Sequence, residues 1–179
     1  MSEVNKEYAQ ALYELSEDEG KVEEYLCEVR AIADILSQNP KYIRLLSAPD
    51  IAQRERIGIL DECFFGRCEE YILSFMKLMV ERGYAEHIKG CFLEFERIYN
   101  DRHGIAVAHV KTAVPLSEET KAALTAKLEA YSKKKVELKF TLVPTLIGGI
   151  SVELDGVLLE GSVKARLDRL RSDMSNITI

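Results

Sequence analysis

Residues 98–112 read IYNDRHGIAVAHVKT, and the spacing of the apolar side chains changes within this stretch. Ahead of Gly104 the apolar residues recur every three or four positions, which is typical of an α-helix packed on one face. After Gly104 they alternate with their neighbours, so that Ala106 and Val110 share one side, and this alternation predicts a β-strand. The sequence therefore predicts a domain boundary at Gly104.

The part before this boundary, residues 1–104, has a helical pattern throughout. The apolar period of 3.6 residues is interrupted at Gly or Pro residues, which separate one helix from the next. The pattern predicts helices at about residues 4–19, 22–38, 41–48, 52–64, 68–82 and 85–102. In the first of them Val4, Tyr8, Ala11, Leu12 and Leu15 share one side. Because the connections are short and no strand pattern intervenes, we expect an N-terminal six-helix bundle.

The part after the boundary, residues 105–179, predicts the order β-α-β-β-β-α, which makes the chain an α+β protein. Asp155-Gly156 between apolar runs is a strong signal for a two-residue hairpin. Ser117 is placed to cap the first helix of this part, and a last helix is predicted to open at Gly161-Ser162. The residues predicted to face inward are Ala106, Ala108, Val110, Thr112, Val114, Leu124, Leu128, Tyr131, Val136, Leu138, Phe140, Leu142, Ile150, Val152 and Leu154.

Composition and charge exclude several classes of protein. A chain that is 47% hydrophobic and 30% charged, with 4 Pro and 10 Gly, is typical of a globular protein. Residues 1–104 hold 13 Lys and Arg against 21 Asp and Glu, a net charge of −8, whereas residues 105–179 have a net charge of +2. Neither part has the strongly cationic face that nucleic-acid binding requires. The acidic opening and the lack of an apolar run of about 20 residues lead us to expect a cytoplasmic protein without a signal peptide or membrane span.

The residues that usually carry chemistry do not form a recognisable set. Gly156 and Gly161-Ser162 resemble a phosphate-binding loop, but the lysine that such a loop needs before the hydroxyl residue is missing. The cysteines have no paired metal-ligand spacing, so we expect buried structural thiols at Cys27, Cys63, Cys68 and Cys91. The three histidines match no hydrolase motif. We therefore expect no catalytic residue, no cofactor and no metal site.

The predicted fifth helix has more apolar surface than one stripe requires. Eight of the ten residues 71–80 are apolar, so the apolar surface extends nearly around the helix. Such a helix lies either at the centre of a core or offers a spare face to a partner. The first helix shows a milder excess, because Ala9 and Tyr13 flank its stripe. Together with the net negative charge, this excess indicates a groove for a partner helix.

Four segments in series resemble the delta subunits of F-type ATP synthases, the family of the oligomycin-sensitivity-conferring protein. The segment Tyr8–Glu14 is similar to the family's opening Y-A-x-A-L-[FY]-E, and the segment 106–117 is similar to its first strand after the bundle. The C-terminal part resembles the family motifs L-I-G-G-x and D-G-S-V-[KR]-x-[RK]-L. Their matching residues here are Gly148, Gly149, Gly161, Ser162 and Arg166. Val143 and Glu160 depart from the family pattern, which has Asp at both places.

The resemblance implies a stator subunit without catalytic residues of its own. Such a subunit links the catalytic alpha and beta subunits to the peripheral stalk of b subunits and prevents them from turning with the rotor. It would act at the cytoplasmic face of a bacterial plasma membrane. From the resemblance we expect the N-terminal bundle to bind an amphipathic helix from the N-terminus of the alpha subunit. From the excess of apolar residues we expect the binding site to be a groove formed by Tyr8, Ala11, Leu12, Phe75 and Leu78.

Two other interpretations remain open at the level of sequence. One is a helical scaffold or adaptor unrelated to ATP synthase, which would fail to bind the subunits of that complex. The other is a small cytosolic enzyme, which would show activity and ligand-dependent stabilisation in isolation.

Overall fold

The computed structural model describes residues 3–146, 148–154 and 156–161. Backbone contacts divide the chain into two compact units, Met1–Tyr99 and Asn100–Ile179. Within the described residues there are seven α-helices and one mixed four-stranded sheet, so the predicted α+β class is confirmed.

Six α-helices precede the first strand. Their bounds agree with the predicted ones to within about three residues, and a 3-10 turn at Ala85–His87 replaces the predicted start of the sixth. Gly residues with positive φ lie after four of the six, because they allow the left-handed turn that ends a helix. The helices are α1 (Glu3–Asp18), α2 (Val22–Gln38), α3 (Pro40–Ser47), α4 (Gln53–Phe64), α5 (Glu70–Glu81) and α6 (Ile88–His103).

The core of the first unit is built on the apolar stripes of α2, α5 and α6. The stripe of α6, formed by Ile88, Phe92, Phe95 and Tyr99, is buried at all four positions. Tyr13 of α1 packs on Phe95 with ring centroids 5.3 Å apart. Burial of such large side chains contributes about 1.5–3 kcal/mol each. The fully buried large side chains of this unit are Tyr13, Tyr25, Val29, Leu46, Leu60, Ile72, Met76, Met79, Ile88, Phe92 and Phe95.

Two inward faces of this unit differ from the sequence prediction. On α1 the buried face is formed by Ala9, Leu12, Tyr13 and Ser16, whereas Ala11 is exposed. Ser16 can lie in this face because its hydroxyl donates to the backbone carbonyl of Tyr13 over 2.6 Å. Of the apolar residues on α3, Ile43, Leu45 and Leu46, only Leu46 is buried, and Leu45 is 38% exposed. Apolar residues occur on two sides of both helices, so periodicity alone did not identify the core side.

The second unit contains four strands in the order β2-β1-β3-β4. The strands are β1 (Ile105–Thr112), β2 (Lys135–Leu142), β3 (Ile150–Leu154) and β4 (Val157–Glu160), and the helix α7 (Glu118–Ser132) lies between the first two. β1 pairs in parallel with β2 and antiparallel with β3. The parallel pair requires a crossover, which α7 supplies.

The core of this unit lies between α7 and one face of the sheet. Its buried residues are Ala106, Ala108, Val110, Leu128, Val152 and Leu154, packed against Leu124, Val136, Leu138 and Ile150. Ser117 caps α7 as predicted, because its hydroxyl accepts the backbone N–H of Thr120 over 3.3 Å. Tyr131 was predicted to face this core and is 63% exposed, since α7 contacts the sheet through Leu124 and Leu128.

Three other predicted inward residues are exposed. Val114 is 64% exposed because β1 ends at Thr112, whose hydroxyl donates to the Val114 carbonyl in a tight turn. Phe140 and Leu142 are 39% and 57% exposed. They lie on the edge strand β2, beyond the part of it that packs against the core.

The hairpin between β3 and β4 has the predicted two-residue connection. Leu154 pairs with Val157, and Gly156 has a φ of +78°, as a tight turn with left-handed backbone requires. Asp155, the other turn residue, lies outside the described residues. So does the predicted last helix, residues 162–174.

Candidate functional site

The α1 helix forms one wall of the predicted groove. It ends in a Schellman motif, in which the N–H groups of Gly20 and Lys21 bond to the carbonyls of Glu17 and Ser16 over 3.0 Å each. Gly20 fits this motif because its φ is +66°, a conformation that costs other residues about 1–2 kcal/mol. The motif fixes where α1 ends and how α2 begins.

The α5 helix forms the opposite wall, and contacts with α2 and with the residue before α2 hold its start. The backbone N–H of Glu69 donates to the Glu28 carboxylate over 2.7 Å. The Glu69 carboxylate lies 2.9 Å from the Lys21 ammonium and raises the pKa of Lys21 through this hydrogen bond. An exposed ion pair of this kind contributes little to stability, because water and salt screen it. These contacts position α5 more than they stabilise the fold.

Aromatic contacts show the relative orientation of α1 and α5. The ring of Tyr8 lies 6.3 Å from that of Phe75 and 6.1 Å from that of Tyr84, both edge to face. Tyr8 is in the first half of α1, whereas Tyr84 follows the end of α5. The two helices therefore run antiparallel, with the start of α1 beside the end of α5. Phe75 also packs on Phe92 at 5.8 Å, which anchors the groove to the core.

An open apolar groove of about 310 Å³ lies between α1 and α5. Its lining contains all five residues that the sequence predicted for the partner site, together with three others. The lining residues are Tyr8, Ala11, Leu12, Leu15, Tyr71, Ser74, Phe75 and Leu78.

The five predicted residues take different positions in this groove. Leu12 and Phe75 are only 2% and 8% exposed, so they form its floor and belong also to the core. Leu78 is 39% exposed, Ala11 is exposed and Tyr8 is half-buried, so these three offer surface to a ligand. Whether a partner binds them stays a prediction.

Three lining residues were not predicted, and the sequence contained a signal for two of them. Leu15 and Tyr71 continue the stripes of Tyr8 and Phe75 by one helical turn or two. Tyr71 is 45% exposed, which is unusual for a large aromatic side chain on an apolar helix. Ser74 carried no such signal, because a lone serine on a helix is usually a solvent-exposed residue.

The glycine motifs of the second unit have local structural roles. Gly149 has a φ of +81° just before β3, and this left-handed backbone explains a glycine at the position. At Gly161 a Cβ atom would lie 3.1 Å from the carbonyl oxygen of Ile150, which accepts the Gly161 N–H. Gly148 lies in the bend before β3. Ser162 and Arg166 lie outside the described residues.

No group of three or more His, Cys, Asp or Glu side chains within the described residues could hold a metal ion. All four cysteines are free thiols, but Cys27 and Cys63 are exposed and only Cys91 is fully buried, which corrects the expectation of four buried thiols. Burial raises the pKa of the Cys91 thiol to about 12. No helix in the described part of the chain is both long and apolar enough to cross a bilayer.

The two units of the chain differ in architecture. A helical unit presents an apolar groove of the size that an amphipathic helix fills, and a separate sheet unit follows it. The chain thus belongs to the class of two-unit proteins with an open apolar groove on a helical unit.

Comparison with known proteins identifies the family. The model of the ATP synthase delta (OSCP) subunit family matches residues 4–174. The delta subunit of Clostridium kluyveri ATP synthase is 33% identical over 171 residues, which cover 96% of this chain and 94% of that protein. The Clostridium perfringens delta subunit is also 33% identical, with 96% of each chain covered. This chain belongs to the ATP synthase delta (OSCP) subunit family.

A solved structure shows the same fold at low sequence identity. A chain in the cryo-EM structure of the Toxoplasma gondii mitochondrial ATP synthase hexamer aligns with a TM-score of 0.74 and 17% identity. The alignment covers 97% of this chain and 98% of that one. The arrangement of helices followed by a small sheet is therefore conserved at an identity where few individual side chains are.

Proposed function

We propose that this chain is the delta subunit of an F-type ATP synthase and works as a non-catalytic part of its stator. The observation that carries the proposal is the apolar α1/α5 groove in a chain of this family. In a rotary synthase, proton flow turns a rotor, and the alpha and beta subunits must be held still against it. The delta subunit holds them by joining the catalytic headpiece to the peripheral stalk. Its place is the cytoplasmic face of a bacterial plasma membrane, as a peripheral member of the complex.

A subunit that joins two parts of a stator needs high affinity for its partners and no catalytic activity of its own. Micromolar binding corresponds to about −8 kcal/mol and nanomolar binding to about −12 kcal/mol, a difference of about a thousandfold in Kd. Burying Tyr71, Leu78 and the open edge of Tyr8 against an apolar stripe would supply part of that difference. The six helices of the N-terminal part act as one bundle that presents the groove.

The N-terminal helix of the alpha subunit is the proposed occupant of the groove. An amphipathic helix lays its apolar face into such a groove through residues spaced i, i+3, i+4 and i+7. On each wall the first and last lining residues are i and i+7: Tyr8 and Leu15 on α1, and Tyr71 and Leu78 on α5. This interval corresponds to a length of about 10 Å along each helix. About two turns of a partner helix fit this length.

The C-terminal unit is proposed to bind the b subunits of the peripheral stalk. Its edge strand β2 leaves Phe140 and Leu142 exposed, and β4 leaves Val157, Leu158 and Leu159 at 46%, 57% and 38% exposure. Exposed apolar residues in such number are typical of a surface that a partner covers. Co-purification of the tagged chain with both alpha and b subunits from solubilised membranes tests the two contacts together.

The groove is tested with the variant Leu78→Asp. A charge placed among apolar residues would be buried without a partner in the complex, so we expect binding of an alpha N-terminal peptide to weaken by roughly 2–4 kcal/mol. Thermal unfolding should change little, because Leu78 is 39% exposed in the free chain. Calorimetric titration and a melting curve are measured on the same sample.

The matched control is Leu93→Asp, since Leu93 is 50% exposed on α6 and is not part of the groove lining. It should leave peptide affinity unchanged. Unchanged affinity in Leu78→Asp together with a large drop in melting temperature would assign Leu78 to the core and refute the site.

A further inference from the structure

Four exposed carboxylates border the apolar lining of the α1/α5 groove. They are Glu7 and Asp18 on α1, and Glu70 and Glu81 on α5. We call these four residues the acidic rim. Each lies three or four positions from a lining residue: Ala11, Leu15, Ser74 and Leu78, respectively. Residues at these spacings are neighbours on a helix surface, so the acidic rim adjoins the groove directly.

The acidic rim is arranged in two pairs, one at each end of the groove. Within each helix the two carboxylates are 11 positions apart, which is close to three full turns and about 16 Å. Because α1 and α5 run antiparallel, Glu7 and Glu81 are at the end marked by Tyr84. Asp18 and Glu70 are at the other end.

No cation within the described chain neutralises these four groups. None of them forms an ion pair with another described residue. Lys77, the lysine of α5, pairs with Asp61 of α4. The surrounding residues 1–104 have a net charge of −8, so like charges surround the groove.

Two members of the acidic rim lie where the helix itself disfavours them. Asp18 is the last residue of α1 and Glu81 is the last residue of α5, and neither helix has a basic residue in its last turn. The C-terminal end of a helix carries partial negative charge, so an acidic side chain there is destabilising by a few tenths of a kcal/mol up to about 1 kcal/mol. Glu70, the first residue of α5, is by contrast placed favourably. A cationic partner would offset the unfavourable interaction of Asp18 and Glu81 with the ends of their helices.

We infer that the groove selects a cationic amphipathic helix, with Lys or Arg bracketing its apolar stripe. This inference rests on the proposed function and specifies the chemistry of the partner. The apolar stripe fills the lining over about two turns, and basic residues about three turns apart meet the carboxylate pair at each end. The charges steer and orient the partner, while the lining provides the affinity.

The same features argue against the other occupants of an apolar groove. A second copy of this chain would bring its own bundle of net charge −8 against the acidic rim. An anionic lipid surface would be repelled for the same reason. A basic helix alone matches both the apolar lining and the charge of the rim.

Two synthetic helical peptides titrated into the full chain test the inference. Both are roughly 18 residues, or five turns, long and carry the same apolar stripe. One has Lys at the bracketing positions about 11 residues apart, and the other has Glu there. We expect the Lys peptide to bind at least about tenfold more tightly at about 0.1 M NaCl. At about 1 M NaCl the difference should shrink, because the screening length falls from about 10 Å to about 3 Å.

Two variants of the chain distinguish the effect of the acidic rim on peptide binding from the effect of the overall net charge. Neutralising the acidic rim with Glu7→Gln, Asp18→Asn, Glu70→Gln and Glu81→Gln should abolish the preference for the Lys peptide. A control with the same change in net charge, away from the groove, should keep it. That control is Asp34→Asn, Asp50→Asn, Glu55→Gln and Glu62→Gln, whose residues are absent from the groove lining.

The outcomes distinguish this inference from the proposed function. Equal binding of both peptides at low salt overturns the role of the acidic rim and leaves the groove as an apolar docking site. Binding of neither peptide overturns both. A preference that survives neutralisation of the acidic rim but disappears in the control overturns the rim and assigns the effect to overall charge. Binding that Leu78→Asp does not weaken places the peptides outside the groove.

Discussion

At the residue scale, glycine performs two opposite roles in this chain. Gly83 has a φ of +77° after α5, where the N–H groups of Gly83 and Tyr84 bond to the carbonyls of Val80 and Met79. A side chain is strained in that conformation. Gly58 lies inside α4, and a Cβ atom added there would meet no atom within 4 Å. In a helix interior glycine is the less stable choice because its unfolded chain has more freedom.

The two glycines should therefore respond in opposite directions to the same substitution. We expect Gly83→Ala to lower the free energy of unfolding by about 1–2 kcal/mol, and Gly58→Ala to raise it by about 0.5–1 kcal/mol. Urea unfolding of both variants measures the difference. A stabilising effect of Gly83→Ala would contradict the left-handed conformation at the end of α5.

Also at the residue scale, Cys91 couples stability to alkaline pH. Its pKa of about 12 in the folded chain is above the ordinary value of 9.0, because burial disfavours the thiolate. The folded state therefore favours the protonated thiol of Cys91 over the thiolate. Its contribution to stability is therefore complete below pH 9 and is lost progressively as pH rises toward 12.

We expect the free energy of unfolding to fall as pH increases above 9, and to fall less steeply in Cys91→Ala. Urea titrations at several pH values compare the two slopes. The exposed Cys27 provides a matched control, since Cys27→Ala should leave the slope unchanged. Equal slopes in all three proteins would show that Cys91 is not the group responsible.

At the scale of elements, α5 is shared between the core and the groove. Ile72, Met76 and Met79 are fully buried, whereas Tyr71 and Leu78 are 45% and 39% exposed. Phe75 lies between these two faces. The excess of apolar residues on this helix thus has two causes, since one part of it is buried in the core and the other part lines the groove.

This division predicts unequal costs for two truncations on one helix. Phe75→Ala should destabilise the fold by about 3–5 kcal/mol, because it leaves a cavity beside Phe92 and Tyr8. Leu78→Ala should cost less than about 1 kcal/mol, since much of the side chain is already in water. Denaturant unfolding of both variants provides the comparison. Similar costs would mean that Leu78 belongs to the core.

At the scale of the whole molecule, the chain consists of two parts of opposite charge. The net charge is −8 up to residue 104 and +2 beyond it. The helical period ends at His103, Gly104 has a φ of +62°, and β1 begins at Ile105. Parts that carry opposite charge are suited to different partners.

The predicted boundary of domains 1–104 and 105–179 is tested by limited proteolysis. We expect the first cut between about residues 103 and 106, or after Arg102 with trypsin, because few contacts cross a domain boundary. Mass spectrometry of the fragments locates the cut. First cleavage inside either part, with the segment around Gly104 resistant, would show that the boundary is elsewhere.

The sequence by itself determined the elements and their limits. Helical and strand periods, glycine at helix ends, the Ser117 cap and the Asp155-Gly156 turn are local signals, since each depends on residues within a few positions. The five residues that the sequence proposed for a partner site line one groove in the structure, and their binding to a partner stays a prediction. Their prediction was possible because the apolar excess of α1 and α5 exceeded what a single stripe requires.

Only the tertiary structure decided which apolar face is core and which is groove. Ala9 and Tyr13 of α1 are buried, although the longer stripe through Tyr8 and Ala11 was the stronger signal. Phe140 is 39% exposed on β2, although that strand has the clearest alternation in the chain. Burial depends on the neighbours that packing brings to a side chain, and those neighbours are distant in sequence. Periodicity defines a face of a helix or strand, and only the packed fold defines what lies against it.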